Sequence, residues 1–390
     1  MKYALPADNG LSADIVERLV HRDAEGSPSI TDAQHGALEL GLGRGNSMLI
    51  ASPTSTGKTQ IATWAIASGL NESANTVFLV TLRALAKQKF HEFQGSLGEY
   101  FLENDLSGIV LATGDTVIDG NGDSPASPLE APVLVATYEK YLAMLSASGV
   151  PSSLANTVVV CDEIQLLGTP GRGNQVEVLL TLLKNAGWKQ FVGLSAVLEQ
   201  SDANDLSNWL NVELHRTSAR EKNLVYEYWH TSGIASMNTA NSDNVTTHQL
   251  PHGVSPTTAS VVQYLTTNVQ SALPIIVFCM TKDSLYQLAK NDVSSRAGNP
   301  GSQLTLDLGN IPSTEANTFL TSALAHRVAI HSADLTEEER EIVEAAILKR
   351  EVDVIYATPT LAAGVNFPFG TAIFDKWTRY DFALRRHQPI

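Results

Sequence analysis

The stretch Ala51–Thr59, ASPTSTGKT, sets a Gly, a Lys and a Thr directly after the apolar run Met48–Ile50. A short strand, a Gly-containing loop and a Lys-Thr pair opening a helix form a phosphate-binding loop. Backbone N–H groups of such a loop point inward around the β- and γ-phosphates, and the helix N-terminus adds the positive end of its dipole. Thr54, Ser55, Thr56 and Gly57 would line this cradle, Lys58 would place a point charge on the same oxygens, and the Thr59 hydroxyl would hold Mg²⁺. The first small residue of the usual pattern, Gly or Ala, is Ser52 here. The bland alternative is a chance GKT in a loop, against which stand the strand before it and the helical IATWAIASGL after it. The expected ligand is a nucleoside triphosphate with Mg²⁺.

A phosphate loop needs an acidic partner. Val158–Cys161 reads as a buried strand, and it ends in the adjacent carboxylates Asp162 and Glu163, followed by Ile164 and Gln165. At the C-terminal edge of a sheet, Asp162 can reach Mg²⁺, while Glu163 can orient and deprotonate an attacking water. The competing reading is a solvated acidic turn after a strand.

These residues need a scaffold, and the chain supplies one. At 390 residues it suits two domains with a core each, and 43% hydrophobic with 17% charged residues describes a globular protein. Val77–Val80, Val133–Ala136, Val158–Cys161 and Phe191–Leu194 are short apolar runs, most of them followed by a helical stretch. That alternation predicts an α/β fold with parallel sheets covered on both faces. A second series starts near Leu224 and continues at Ile275–Phe278, Arg327–Ile330 and Val352–Tyr356. The polar segment Thr231–Ser260 is expected to be a loop or insertion, and Gly114–Pro132 and Ser294–Thr314 to be irregular.

Composition bounds the partners. The net charge of −15 advertises no basic surface for nonspecific binding to nucleic acid. It leaves open a motor that grips a strand through backbone amides and a few hydroxyls. No apolar run approaches the length of a bilayer span and the N-terminal decad lacks a signal-peptide core, so the expected location is cytoplasmic, without a membrane partner. The two cysteines, Cys161 and Cys279, read as buried free thiols.

The blocks together resemble the superfamily 2 DExH-box helicases, in particular their Ski-type group. ASPTSTGKT and Asp162–Gln165 resemble motifs I and II, with Gln165 at the place of the family's His or Asp. Gln34 resembles the upstream glutamine that reads the adenine edge. TLRALAKQK, Thr81–Lys89, resembles motif Ia, which implies a strand-phosphate contact for Arg83. Thr113-Gly114-Asp115 and ATYEK, Ala136–Lys140, resemble the next nucleic-acid contacts, Thr137 among them. Arg172-Gly173 with Glu177 resembles the RG-then-E signature of Ski-type members. GLSAV, Gly193–Val197, resembles motif III with Val197 in place of the usual Thr. Ile275–Ala289 and Ala329–Ile347 resemble motif IV and the block after it. VDVIYATPTLAAGVNFP, Val352–Pro368, resembles motif V, which implies strand contacts for Thr358 and Thr360 and places Gly364 and Asn366 near the nucleotide.

The resemblance covers roughly Ile30 to Pro368. It implies two tandem RecA-like P-loop NTPase domains, residues 1–222 (ATP-binding) and 223–390 (C-terminal). The catalytic set would be Lys58, Asp162, Glu163 and Gln165, with ATP between the domains and a single strand across both. The partner would be single-stranded or partly duplex DNA or RNA. After motif V the family carries a Gln-x-x-Gly-Arg-x-x-Arg pattern, motif VI, and no such pattern appears here; Arg385 and Arg386 have the wrong spacing. The expectation is therefore a core cut short before motif VI, its second domain incomplete, with a protein partner completing the motor. Two rival readings follow: a weakly or non-hydrolysing ATP-gated module that binds nucleic acid or protein, and a duplex-translocating ATPase.

Overall fold

The computed structural model describes residues 3–169, 171–218, 223–239, 244–296, 315–358, 367–376, 378–381 and 386–389. It divides into two units, Met1–Lys222 and Asn223–Ile390.

The first unit is built on one eight-stranded sheet. Its strands are β1 (Met48–Ala51), β2 (Asn75–Val80), β3 (Ile109–Thr113), β4 (Thr116–Asp119), β5 (Val133–Thr137), β6 (Leu154–Cys161), β7 (Trp188–Ser195) and β8 (Glu213–Arg216). They lie in the order β4-β3-β5-β2-β6-β7-β1-β8. All neighbours run parallel except β3 and β4. The central strands are apolar and buried along most of their length because both faces are covered, and successive side chains alternate between two cores. Phe78 and Val80 pack in one core, Val77 and Leu79 in the other. The first core is covered by helices α1 (Ala13–Leu19), α2 (Asp32–Glu39), α3 (Lys58–Asn71) and α4 (Arg83–Phe101), which contribute Ile15, Leu38, Trp64 and Phe93. The second is covered by α5 (Tyr138–Ser148), α6 (Gly173–Ala186) and α7 (Gln200–Leu210), through Tyr138, Tyr141, Leu179 and Leu210. Each such fully buried large side chain contributes about 1.5–3 kcal/mol. The close seat of α3 on the sheet depends on Gly69, where a Cβ would come within 2.8 Å of a Val158 methyl.

The second unit holds β9 (Val225–His230), β10 (Gly233–Asn238), β11 (Val245–His248), β12 (Ile275–Phe278), β13 (Val328–His331), β14 (Val354–Ala357), β15 (Thr371–Phe374), β16 (Thr378–Asp381) and β17 (Arg386–Pro389). Its helices are α8 (Thr258–Asn268), α9 (Lys282–Ser295), α10 (Glu315–Ala325) and α11 (Glu337–Leu348). A parallel sheet β13-β14-β12-β15 carries the core around Val277, Ile330 and Ile355. No helix among the described residues is long and apolar enough to cross a membrane.

Three local expectations need correction. Of the two alternatives for Thr231–Ser260, a plain loop is set aside: within it β10 pairs antiparallel with β11 and with β9 in a separate sheet. Every residue of β11 is exposed, so no buried face imposes an apolar alternation, and the strand rests on its ladder hydrogen bonds. For the same reason β9, near Leu224, belongs to that sheet and does not open the parallel one. Within Gly114–Pro132, β4 forms an antiparallel edge hairpin with β3, so the first sheet is mixed and mostly parallel.

Candidate functional site

The C-terminal ends of the parallel strands of the first unit meet along one edge of the sheet, where an open α/β fold presents its ligand site. β1 leads into the phosphate loop, β6 into Asp162 and Glu163, and β7 ends at Ser195. β2 runs into Thr81 and Arg83, β3 ends at Thr113 and β5 at Thr137. Residues scattered over more than a hundred positions thus share one rim.

The phosphate loop is held from several sides. Ser52 N–H donates to the Ser195 carbonyl at 3.1 Å, which ties the loop to β7. The Thr56 hydroxyl donates to the Pro53 carbonyl and lies 2.8 Å from the Ser52 hydroxyl. Thr31, the N-cap of α2, donates its hydroxyl to the Thr56 carbonyl at 2.6 Å. Ser55 and Gly57 adopt left-handed backbone, with φ of 63° and 82°. At Gly57 a Cβ would meet the Gln34 amide nitrogen at 2.3 Å, so glycine is required twice over. Helix α3 starts there without a side-chain cap, which leaves its first-turn amides for an anionic ligand. Thr54 and Ser55 are exposed at the loop tip. The buried Lys58 ammonium donates to the Ser52 and Pro53 carbonyls at 2.8 and 2.9 Å. Burial lowers its pKa, while Glu163 and Asp162 nearby act to raise it.

Gln34 is buried. Its carbonyl accepts from Thr31 N–H in a capping box, and its amide donates to the Gly57 carbonyl at 3.3 Å. An amide group has two donors and two lone pairs, so one of each remains for a purine edge.

At the acidic box the chain is strained. Glu163 holds φ of 54°, the left-handed region that costs a β-carbon residue on the order of 1–3 kcal/mol. Glu163 N–H donates to the Asp162 carboxylate at 3.0 Å, and the Tyr138 hydroxyl donates to the Asp162 carbonyl at 2.9 Å. Burial, then the adjacent Glu163, raises the Asp162 carboxyl to about 6, against the opposing pull of Lys89 and Lys58. Gln165 donates to the Glu163 carboxylate and accepts from the Ser195 hydroxyl at 2.9 Å and Ala196 N–H at 3.2 Å. It therefore joins the acidic box to the end of β7. The half-exposed Val197, which lacks the usual hydroxyl, takes no part in that link.

The oxygen donors of Thr59 and Asp162 suit a hard cation such as Mg²⁺. With Lys58 and the open helix start, the residues present fit a magnesium–nucleotide group.

A second cluster lies along the rim. The Arg83 guanidinium lies over Gly114, where a Cβ would come within 2.4 Å of its carbon, and Gly114 has φ of 49°. Thr113 is buried directly before it. The Thr137 hydroxyl caps α5 by accepting from Lys140 N–H at 3.3 Å, and its own proton stays available to donate. In the second unit, Thr358 N–H donates to the His331 carbonyl at 3.1 Å. Thr360, Gly364, Asn366 and Arg385 lie outside the described residues.

The roles of three contributors are invisible to the sequence reading. Thr31 signals itself only as a Thr-x-x-Gln capping box. Arg172 was legible as part of a signature, but not what it holds: it donates to the Glu139 carboxylate at 2.6 and 2.9 Å and to the Thr81 carbonyl at 2.6 Å. Lys89 is the third, a buried cation whose Nζ donates to the Thr59 hydroxyl at 2.9 Å. It stands about 1.7 helical turns from Arg83, so the two face different ways on α4.

Residues 31–206 match the family model described as DEAD/DEAH box helicase. The chain is 30% identical over 364 residues to the ATP-dependent DNA helicase Hel308 of Pyrococcus horikoshii, covering 90% of this chain and 46% of that protein. It is 28% identical over 381 residues to Hel308 of Aeropyrum pernix, covering 94% of this chain and 47% of the relative. For Hel308 of Pyrobaculum calidifontis the figures are 29% over 392 residues, 98% and 51%. The chain thus spans about half the length of the relatives it matches.

Proposed function

We propose that this chain, whose residues 31–206 match the DEAD/DEAH box helicase family model, is an ATP-dependent nucleic-acid motor core built of two RecA-like domains, 1–222 and 223–390, working on a single strand in the cytoplasm. The observation that carries this reading is the shared electrostatic neighbourhood of Lys58, Asp162 and Glu163, which come from two separate turns of one sheet edge, after β1 and after β6.

In this reading the loop Thr54–Thr59 receives the triphosphate on main-chain N–H groups, and Lys58 leaves its two carbonyl acceptors for phosphate oxygens. Thr59 and Asp162 hold Mg²⁺, which when bound neutralises charge developing on the phosphates. Glu163, fixed by its backbone and by Gln165, orients the attacking water and accepts its proton. Gln34 reads the base, with Gly364 and Asn366 completing the nucleotide contacts. Arg83, Thr113, Gly114 and Thr137 grip the phosphates of the strand, joined by Thr358 and Thr360 from the second unit. DNA is the strand proposed, on the strength of the relatives' names, and a protein partner is proposed to complete the motor.

Steady-state ATPase of the 390-residue chain tests this. Turnover stimulated by single-stranded DNA over no strand is the expected result. ATP binding with no turnover under either condition would overturn the hydrolytic reading and leave the ATP-gated module. A narrower test concerns Gln165. Gln165→Leu removes its hydrogen bonds to Glu163 and to Ser195, one of them to a charged group. Such bonds are worth about 1.5–3 kcal/mol, so kcat should fall about tenfold to a hundredfold with ATP affinity little changed. An unchanged kcat would show that the box and β7 act independently.

A further inference from the structure

Lys89 lies on α4, away from the phosphate loop in sequence, yet its ammonium contacts one of the two groups assigned to the metal, Thr59, and acts on the charge of the other, Asp162. Its Nζ donates to the Thr59 hydroxyl at 2.9 Å, and the side chain is buried. Lys89 and Lys58 both favour the charged form of the Asp162 carboxyl, against its burial. The same Nζ is 2.8 Å from the Glu92 carboxylate, one turn along the helix and substantially exposed. A single positive charge thus bridges the Thr59 hydroxyl, with Asp162 within its field, and a surface carboxylate.

We propose that Lys89 is a positioning residue that acts as the resident counterion of the Thr59–Asp162 pair and yields the pair to the divalent ion by shifting fully onto Glu92. The inference rests on the magnesium–nucleotide reading of the same site. An ammonium hydrogen-bonded to the Thr59 oxygen and a divalent ion on that oxygen repel strongly at such short range. With the metal present, Lys89 gains from a second acceptor outside the site, and Glu92 is that acceptor. Without the metal, Lys89 stays by Thr59 and Asp162, where its charge partly offsets that of the triphosphate. The wild-type site is therefore buffered: nucleotide affinity depends less on Mg²⁺ than the ligand set alone would make it.

The prediction concerns a ratio of affinities, so it needs no turnover. ATP binding to the 390-residue chain is measured by calorimetry at one pH, once with excess Mg²⁺ and once with EDTA. For Lys89→Met, which keeps the apolar stem and removes the charge, affinity in EDTA should fall more than affinity with Mg²⁺. The ratio of the two should rise about tenfold over wild type, within the usual range of such couplings. Glu92→Gln, at an exposed position, should act in the opposite sense. The ammonium loses its retreat and stays at the pair, so the ratio should fall below that of wild type. Loss of packing alone would weaken both forms equally and leave the ratio unchanged. A ratio within twofold of wild type in Glu92→Gln, or in a folded Lys89→Met, overturns the proposal. Wild type that binds ATP in neither condition would instead overturn the nucleotide reading itself.

Discussion

Glu163→Gln should bind ATP as tightly as the parent chain, within about a factor of three, and turn it over about 10²–10⁴ times more slowly, the range a positioned general base supplies. The two effects separate because of how Glu163 is held. Its left-handed backbone and its N–H bond to Asp162 involve main-chain atoms that the substitution leaves alone. Glutamine has the same shape, so the strained turn persists and Asp162 stays where it is. What disappears is the carboxylate that can take a proton. The amide also brings a donor face to face with the Gln165 amide, which now donates to Glu163. That contact can be relieved by a flip of the new side chain, which swaps its oxygen and nitrogen at little cost in shape. Nucleotide binding by calorimetry and turnover by phosphate release check the two halves separately. Turnover equal to the parent would place the base elsewhere, and loss of binding would show that the carboxylate charge shapes the pocket itself.

The contrast between these residues and Lys89 shows what a single sequence reveals. The phosphate loop and the acidic box are legible because their chemistry is local. A Gly-Lys-Thr run after an apolar strand and two carboxylates at another strand's end each satisfy a backbone requirement within a few residues. The parallel sheet is legible on similar grounds, since strands covered on both faces carry unbroken apolar runs, such as Val77–Val80 of β2 and Val133–Ala136 of β5. The β9–β11 sheet is hidden because most of its residues face solvent, and polar Thr and Ser serve there as well as apolar ones. The roles of Thr31, Arg172 and Lys89 are hidden for another reason. Each is defined by a hydrogen bond to a residue 25 or more positions away, a separation that no helical or strand period encodes. Gln165 lies between these cases. Its place in the box is local, but its link to Ser195 spans 30 positions and becomes visible only when β6 and β7 lie side by side.

The largest loss of nucleotide affinity should come from Lys58→Ala. In the folded chain the Lys58 ammonium is buried and donates to two main-chain carbonyls, an arrangement that keeps it in place but offers it nothing as strong as a phosphate oxygen. Hydrogen bonds to charged groups contribute about 1.5–3 kcal/mol each, so two contacts to phosphate oxygens would make affinity fall about 10²-fold or more. The carbonyls of Ser52 and Pro53 lose their partner as well, yet they border the opened space left by the side chain, where water can satisfy them. The loop itself is still tied by the Thr56, Thr31 and Ser195 bonds, none of which involves Lys58. A thermal unfolding midpoint near that of the parent, with ATP binding lost, is therefore the expected pair of observations. Lys58→Arg should recover little, because a planar guanidinium is too broad for a pocket shaped around a compact ammonium. Binding retained within a factor of three in Lys58→Ala would mean that the main-chain amides alone hold the phosphates, and the charge at position 58 would then need another purpose.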